Sequence, residues 1–146
     1  VIKVFKKDSV YLIIGILFVI LASDQFTSSF MKPFFGRLRP CHDPGIGYLV
    51  HIANTCGGQF GFASGHAANS FGIAMFIWMV FRNYWRWTWV IFLWAFTVAV
   101  SRIMIGVHYP GDILIGGLIG AFFGWLMFML TSEVFFRIKL EPLIKN

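Results

Sequence analysis

Three groups of charged or reactive side chains stand between the long apolar runs of this chain. The third runs from Ser101 to Asp112 and carries Arg102, His108 and Asp112. Arg102 supplies a fixed cation whose planar donors suit phosphate oxygens. His108 supplies a ring nitrogen able to act as base or nucleophile near neutral pH. Asp112, four residues on, can accept a proton from the other ring nitrogen and fix the tautomer. Taken alone, these twelve residues suit an interfacial loop with polar anchors equally well.

The second group is Ala63, Ser64, Gly65 and His66, directly before an apolar run. Ser64 is placed to cap a helix, and the free N–H groups of such a helix start form an anion site. The Ser-Gly pair by itself reads as a simple cap. His66 adds a second ring able to give a proton to a leaving oxygen. The first group holds Lys32, Arg37, Arg39 and Pro40. Lys32 and Arg37 can alternatively be read as anchors reaching lipid headgroups. Three cations, a helix start, two histidines and one carboxylate together describe phosphate chemistry.

The elements that must position these groups are apolar. Of 146 residues 58% are hydrophobic and 12% charged, and the mean hydropathy is +0.76. A soluble domain of this size has too little interior for so much apolar surface. The reading is an all-α, polytopic transmembrane helical bundle forming one domain over residues 1–146, without repeats or low-complexity tracts. Four runs supply the spans: 10–31, Ala67–Phe81, Trp87–Val107 and Ile113–Leu130. The first is no cleavable signal, because its second half turns polar without a small-residue cleavage site. Within it Asp24 is expensive in lipid and faces other helices, with a structural hydrogen-bonding role preferred to a place beside the site. Gly116, Gly120 and Gly124 make a flat face that packs within the bundle. The first residue is Val1, which points to a processed or truncated N-terminus.

The net charge of +6 does not signal nucleic acid, because the cations form no basic stripe with interleaved aromatics. They act instead as topology determinants. Eight of them (Lys3, Lys6, Lys7, Arg82, Arg86, Arg137, Lys139, Lys145) fall on the side of the termini, and four (Lys32, Arg37, Arg39, Arg102) fall opposite. The terminal side is therefore cytoplasmic, and Tyr84, Trp85 and Trp87 add an aromatic belt there. The loop 32–64 and the stretch 102–111 face outward together.

In order and spacing the three groups resemble the signature of the type 2 phosphatidic acid phosphatase family. Lysine, six residues and Arg-Pro are met by Lys32, Arg39 and Pro40; Pro-Ser-Gly-His is met as Ala63 to His66; and Ser-Arg, five residues, His, three residues, Asp is met by Ser101, Arg102, His108 and Asp112. Ala63 stands where the family has proline. Membrane members commonly have six spans, two of them before the helix leading into the first motif. With four legible here, the chain is a shortened form or lacks that N-terminal pair.

The resemblance implies a phosphatase in which His108, oriented by Asp112, attacks phosphorus and forms a phosphohistidine. His66 protonates the leaving oxygen and then helps activate water. Lys32, Arg39, Arg102 and the amides near Ser64 and Gly65 hold the equatorial oxygens. No metal and no cofactor are implied. The substrates implied are lipid phosphates of a bacterial inner membrane: phosphatidic acid, phosphatidylglycerol phosphate, polyprenyl diphosphate or lipid A phosphate. The rival readings are a vanadate-dependent haloperoxidase-like enzyme, disfavoured by the spans, and a non-catalytic lipid or anion transporter. Cys41 and Cys56 lie in the outward loop, where a disulfide is expected to contribute about 3 kcal/mol by loop closure. His42 and His51 match no motif position and read as loop or headgroup contacts.

Overall fold

The computed structural model describes residues 8–51 and 55–137, with the side chains of 10–51 and 55–132. Of the cations used in the charge argument, Lys3, Lys6, Lys7, Lys139 and Lys145 lie outside the described residues. The described chain is helical apart from connecting loops and one isolated antiparallel bridge, Leu38 to Phe60. A helix satisfies every backbone group within its own segment, which is what an apolar run in lipid requires.

Helix α1 covers Asp8–Gln25 and continues without a break through a π-helical stretch, Phe26–Met31, into the short α2, Lys32–Phe35. Hydroxyls on this helix bond back to its own carbonyls, Ser23 Oγ to Val19 O at 2.5 Å and Thr27 Oγ1 to Ser23 O at 2.8 Å. Such back-bonding competes with the backbone ladder where the turns widen. The helix thus overruns its expected end at residue 31 and stops at Gly36, whose φ of 56° favours glycine. Lys32 consequently stands on a helix rather than in a loop.

Helix α3 (Gly65–Phe81) is the centre of the bundle and packs against α5 (Pro110–Arg137), α4 (Ile91–Met104) and α1. Its buried face is made of small residues, Gly65, Ala67, Ala68, Ser70, Gly72 and Ala74, followed by Phe76. Across it lies the glycine face of α5. Gly116 lies against the Ser64 carbonyl, Gly120 against that of Ala68 and Gly124 against that of Gly72, with no room for a Cβ. The stripe packs within the bundle, as expected from its spacing. Below it Val19, Phe76 and Val80 form the apolar interior. Gly120→Val should force α3 and α5 apart at a backbone contact and destabilise by about 1–3 kcal/mol or more. Thermal unfolding in detergent followed by circular dichroism checks this, and an unchanged midpoint would contradict the packing.

The span expected over Trp87–Val107 is shorter than that. A 3-10 turn, Thr88–Val90, leads into α4, which ends at Met104. The chain then turns at Gly106, with φ 73°, the Gly106 amide donating to the Ile103 carbonyl at 2.9 Å. By length and composition Val10–Phe35 and Pro110–Ser132 are sufficient to cross a bilayer. Gly65–Phe81 and Thr88–Met104 are shorter apolar helices. Seventeen helical residues, as in α3, reach about 25 Å, a little short of a hydrocarbon core of about 30 Å.

Candidate active site

The loop after α2 brings the first motif to the second. From Gly36 the chain runs extended and antiparallel to residues 59–61, with the Arg39 amide donating to Gln59 O (3.1 Å) and the Gly61 amide to Arg37 O (2.9 Å). Arg39 Nε donates to Phe60 O at 3.3 Å. Farther out, Cys41 and Cys56 are joined as a disulfide, their Cα atoms 6.2 Å apart. His42 lies beside this bridge, a ring nitrogen 3.2 Å from Gly57 O. The ligand atoms of Cys41, His42 and Cys56 cluster within 4.8 Å of one another. The sulfurs, however, are engaged with each other.

The same loop is tied to the third motif. Asp43 accepts the Gly45 amide at 2.8 Å and the Tyr109 hydroxyl at 2.9 Å. These two hydrogen bonds, the Gly45 amide first, hold the Asp43 carboxyl below its ordinary pKa. Burial lowers the pKa of the Arg39 guanidinium; Asp112 opposes the shift and Arg102 adds to it. An arginine so shifted remains a cation at neutral pH.

Ser64 caps α3 as its residue type predicts, its Oγ accepting the Ala67 amide at 3.5 Å. Its own amide donates to Asp112 O at 3.0 Å and is already engaged, which corrects the expectation that it points at an anion. Ser64 is fully buried and links the second motif to the third. The amides of Gly65 and His66, which follow at the helix start, have no carbonyl a turn earlier in the helix to receive them.

Asp112 is fully buried in the first turn of α5 and His108 is 4% exposed. Asp112 Oδ2 accepts the Tyr109 amide at 2.8 Å and lies 3.4 Å from His108 Nδ1. Its Oδ1 is ion-paired with Arg37 Nη2. On α4, Arg102 Nη1 lies 3.4 Å from His66 Nε2. Arg102 Nε is the one buried side-chain polar atom without a hydrogen-bond partner among the described residues. A buried donor left unsatisfied is costly, so an acceptor is called for at that point.

These groups meet in one cavity of about 530 Å³, lined by Lys32, Arg39, Gly65, His66, Arg102 and His108. Asp24 and Asn69 line its floor, and Ile73, Trp94 and Val98 make an apolar wall. Lys32 Nζ donates to Ser28 Oγ at 3.1 Å, and Ser28 Oγ in turn lies 3.5 Å from Asp24 Oδ1. Asp24, expected to serve as a hydrogen-bond partner rather than to border the site, does both, meeting Ser28 and lining the cavity. Gly65 packs beside it, at ordinary contact distance for a Cβ (3.4 Å). A second, smaller opening of about 330 Å³ reaches His108 from the side of His51 and Tyr109.

Of the residues singled out in the sequence, Lys32, Arg39, Gly65, His66, Arg102 and His108 share the cavity, while Ser64 and Asp112 stand behind it. Arg37, placed in the first group but given no role in the site, with a headgroup anchor as the alternative, pairs with Asp112. The available signal was Asp112 itself, since a carboxylate buried among apolar helices requires a cation.

Fold and site together define a helical membrane protein with a cavity lined by cations and histidines. The chain belongs to the PAP2 superfamily, the type 2 phosphatidic acid phosphatases, whose profile matches residues 13–135. It is 42% identical over 135 residues to a lipid A 4′-phosphatase of Bacteroides thetaiotaomicron, covering 91% of this chain and 60% of that protein. It is 39% identical over 123 residues to the lipid A 4′-phosphatase of Porphyromonas gingivalis, covering 84% of this chain and 52% of that protein. The bacitracin transport permease protein BcrC of Bacillus licheniformis is 35% identical over 75 residues, or 51% of this chain and 36% of that protein. The chain thus spans between about half and 60% of the length of the two lipid A phosphatases. No solved structure matches it.

Proposed function

We propose that this chain is a metal-independent lipid phosphatase that releases phosphate from a lipid-borne phosphomonoester, a lipid A phosphate first among the classes considered. The observation that carries this reading is the pairing of His108 with Asp112 at the edge of a cavity holding Lys32, Arg39 and Arg102. With Nδ1 engaged by the carboxylate, His108 Nε2 attacks phosphorus, and the bond from phosphorus to the lipid oxygen breaks. His66 gives its proton to that oxygen. A phosphate lying between Arg102 and His66 engages the arginine donors and frees His66 Nε2 to carry the proton. Water then attacks the phosphohistidine, His66 takes the proton, and the P–N bond breaks to return His108 and release phosphate. The cations and the amides of Gly65 and His66 face the charge that accumulates on the equatorial oxygens. The apolar wall of Ile73, Trp94 and Val98 gives an acyl chain a surface to lie on.

Phosphate release by the purified protein in detergent tests this across phosphatidic acid, phosphatidylglycerol phosphate, polyprenyl diphosphate and lipid A. We expect release from at least one of them, fastest from lipid A, unaffected by a chelator and inhibited by vanadate. The relative named as a transport permease makes a transporter the alternative. Binding of these lipids without any phosphate release would favour it.

The site belongs on the outer face of the inner membrane, with both termini cytoplasmic, a placement that rests on the charge asymmetry. A cysteine replacing Tyr48, which is 81% exposed on the outer loop, should be labelled by an impermeant maleimide in intact spheroplasts. Labelling only after permeabilisation would place the site on the other side.

A further inference from the structure

Asp112 uses its two oxygens differently. Oδ2 faces His108 and the Tyr109 amide, whereas Oδ1 is held by Arg37. The Arg37 guanidinium lies between two rings, 5.0 Å from the centre of Phe62 and 4.9 Å from that of Tyr109. Phe62 precedes the second motif by one residue and Tyr109 follows His108 directly. One cation therefore clamps the approach to α3 onto the approach to α5. Gly61 allows this closeness, since a Cβ there would lie 3.1 Å from Arg39 Cγ and 3.4 Å from Asp112 Oδ2.

We propose that Arg37 is a positioning residue for the reaction, acting through Asp112 to keep the His108 ring neutral and its attacking nitrogen fixed. The inference rests on the nucleophilic role given to His108 above. A buried carboxylate beside a histidine favours the imidazolium, which has no lone pair for phosphorus. A permanent cation on the far oxygen offsets that pull while leaving Oδ2 as an acceptor. The guanidinium suits this position because it is planar, always charged and able to stack on both rings at once.

Other charged groups face His108 from every packed element. His66 comes from α3 and Arg102 from α4, while Asp24, Lys32 and Arg39 come from α1, α2 and the following loop. His51 lies in the outer opening, and Asp43 reaches the region through Tyr109. All of them are unchanged in an Arg37 variant, so a shift in His108 protonation reports the loss of this one cation. Removing a positive charge makes the ring hold its proton to higher pH.

The test uses the full chain in detergent as wild type, Arg37→Gln and Arg37→Lys, with histidine ring ¹³Cε1 labels. The His108 resonance is assigned by its loss in His108→Asn. In Arg37→Gln the His108 titration midpoint should move measurably to higher pH, the direction expected when a cation is removed from the far side of its carboxylate. The acidic limb of the phosphate-release profile should rise with it. Arg37→Lys keeps the charge and should stay near the wild-type midpoint while losing rate through poorer geometry. Glutamine can still donate to Oδ1, and the Tyr109 amide still serves Oδ2, so both variants should fold. Superimposable titrations for wild type and Arg37→Gln would overturn the proposal. So would failure of both variants to accumulate, which would make Arg37 a pillar of the fold alone. A midpoint that rises in a protein releasing no phosphate from any lipid would leave Arg37 where it is placed and sink the phosphatase reading instead.

Discussion

His108→Ala is expected to abolish phosphate release from every substrate, a loss of about 10⁴-fold or more, as when a covalent nucleophile is removed. The size follows from position. His108 is 4% exposed, lines the cationic cavity and has its Nδ1 side occupied by Asp112. Among the described residues, no other ring in the cavity has a carboxylate at one nitrogen. The loss should be indifferent to leaving group, because a substrate with an easier leaving group still needs something to attack its phosphorus. Binding should survive, since Lys32, Arg39 and Arg102 remain, and vanadate protection of the variant against unfolding would show it. Residual turnover within tenfold of wild type would remove His108 from the chemistry.

His66→Ala should behave differently, although the sequence makes the two histidines look alike. His66 sits in the first turn of α3, next to Arg102, with cations rather than a carboxylate around it. Nothing there orients an attacking ring, and the negative charge of a bound phosphate, by offsetting those cations, lets His66 carry the proton that a developing alkoxide needs. With a lipid ester the loss should be about 10²–10⁴-fold, the usual worth of general acid catalysis. With a nitrophenyl phosphate, whose leaving group needs no proton, the first step should be largely spared and the second slowed. A burst of nitrophenol followed by slow turnover is the kinetic sign. Equal losses on both substrates would take the leaving-group role from His66.

Much of this site can be read from the chain because the chemistry is local. Arg102, His108 and Asp112 lie within eleven residues, and Ser64, Gly65 and His66 at one helix start, so residue type and spacing suffice to define each group. Joining the groups is a tertiary matter, and there the sequence was less informative. Arg37 and Asp112 are 75 residues apart, and the pairing of residues 37–39 with 59–61 brings the arginine to the carboxylate. The Ser64 amide was assigned to an anion on local grounds, yet a carbonyl from α5 reaches it first. Asp24 has its expected hydrogen-bonding role with Ser28, and the packing of α1 on α3 also sets it in the cavity lining. The apolar runs gave the helices but not their ends. Gly106 stops α4 at Met104, and the π-helical stretch carries the first helix on to Phe35.

The central claim is a covalent phosphorus–nitrogen bond at His108, and trapping it is the most direct measurement. The wild-type protein and His66→Ala are mixed with a ³²P-labelled lipid phosphate, quenched in alkali, digested and mapped by mass spectrometry. The account predicts label that is stable to base, lost in acid, confined to the peptide carrying His108 and more abundant in His66→Ala, where water activation is impaired. Label on the peptide carrying His66, or label persisting in His108→Ala, would contradict it.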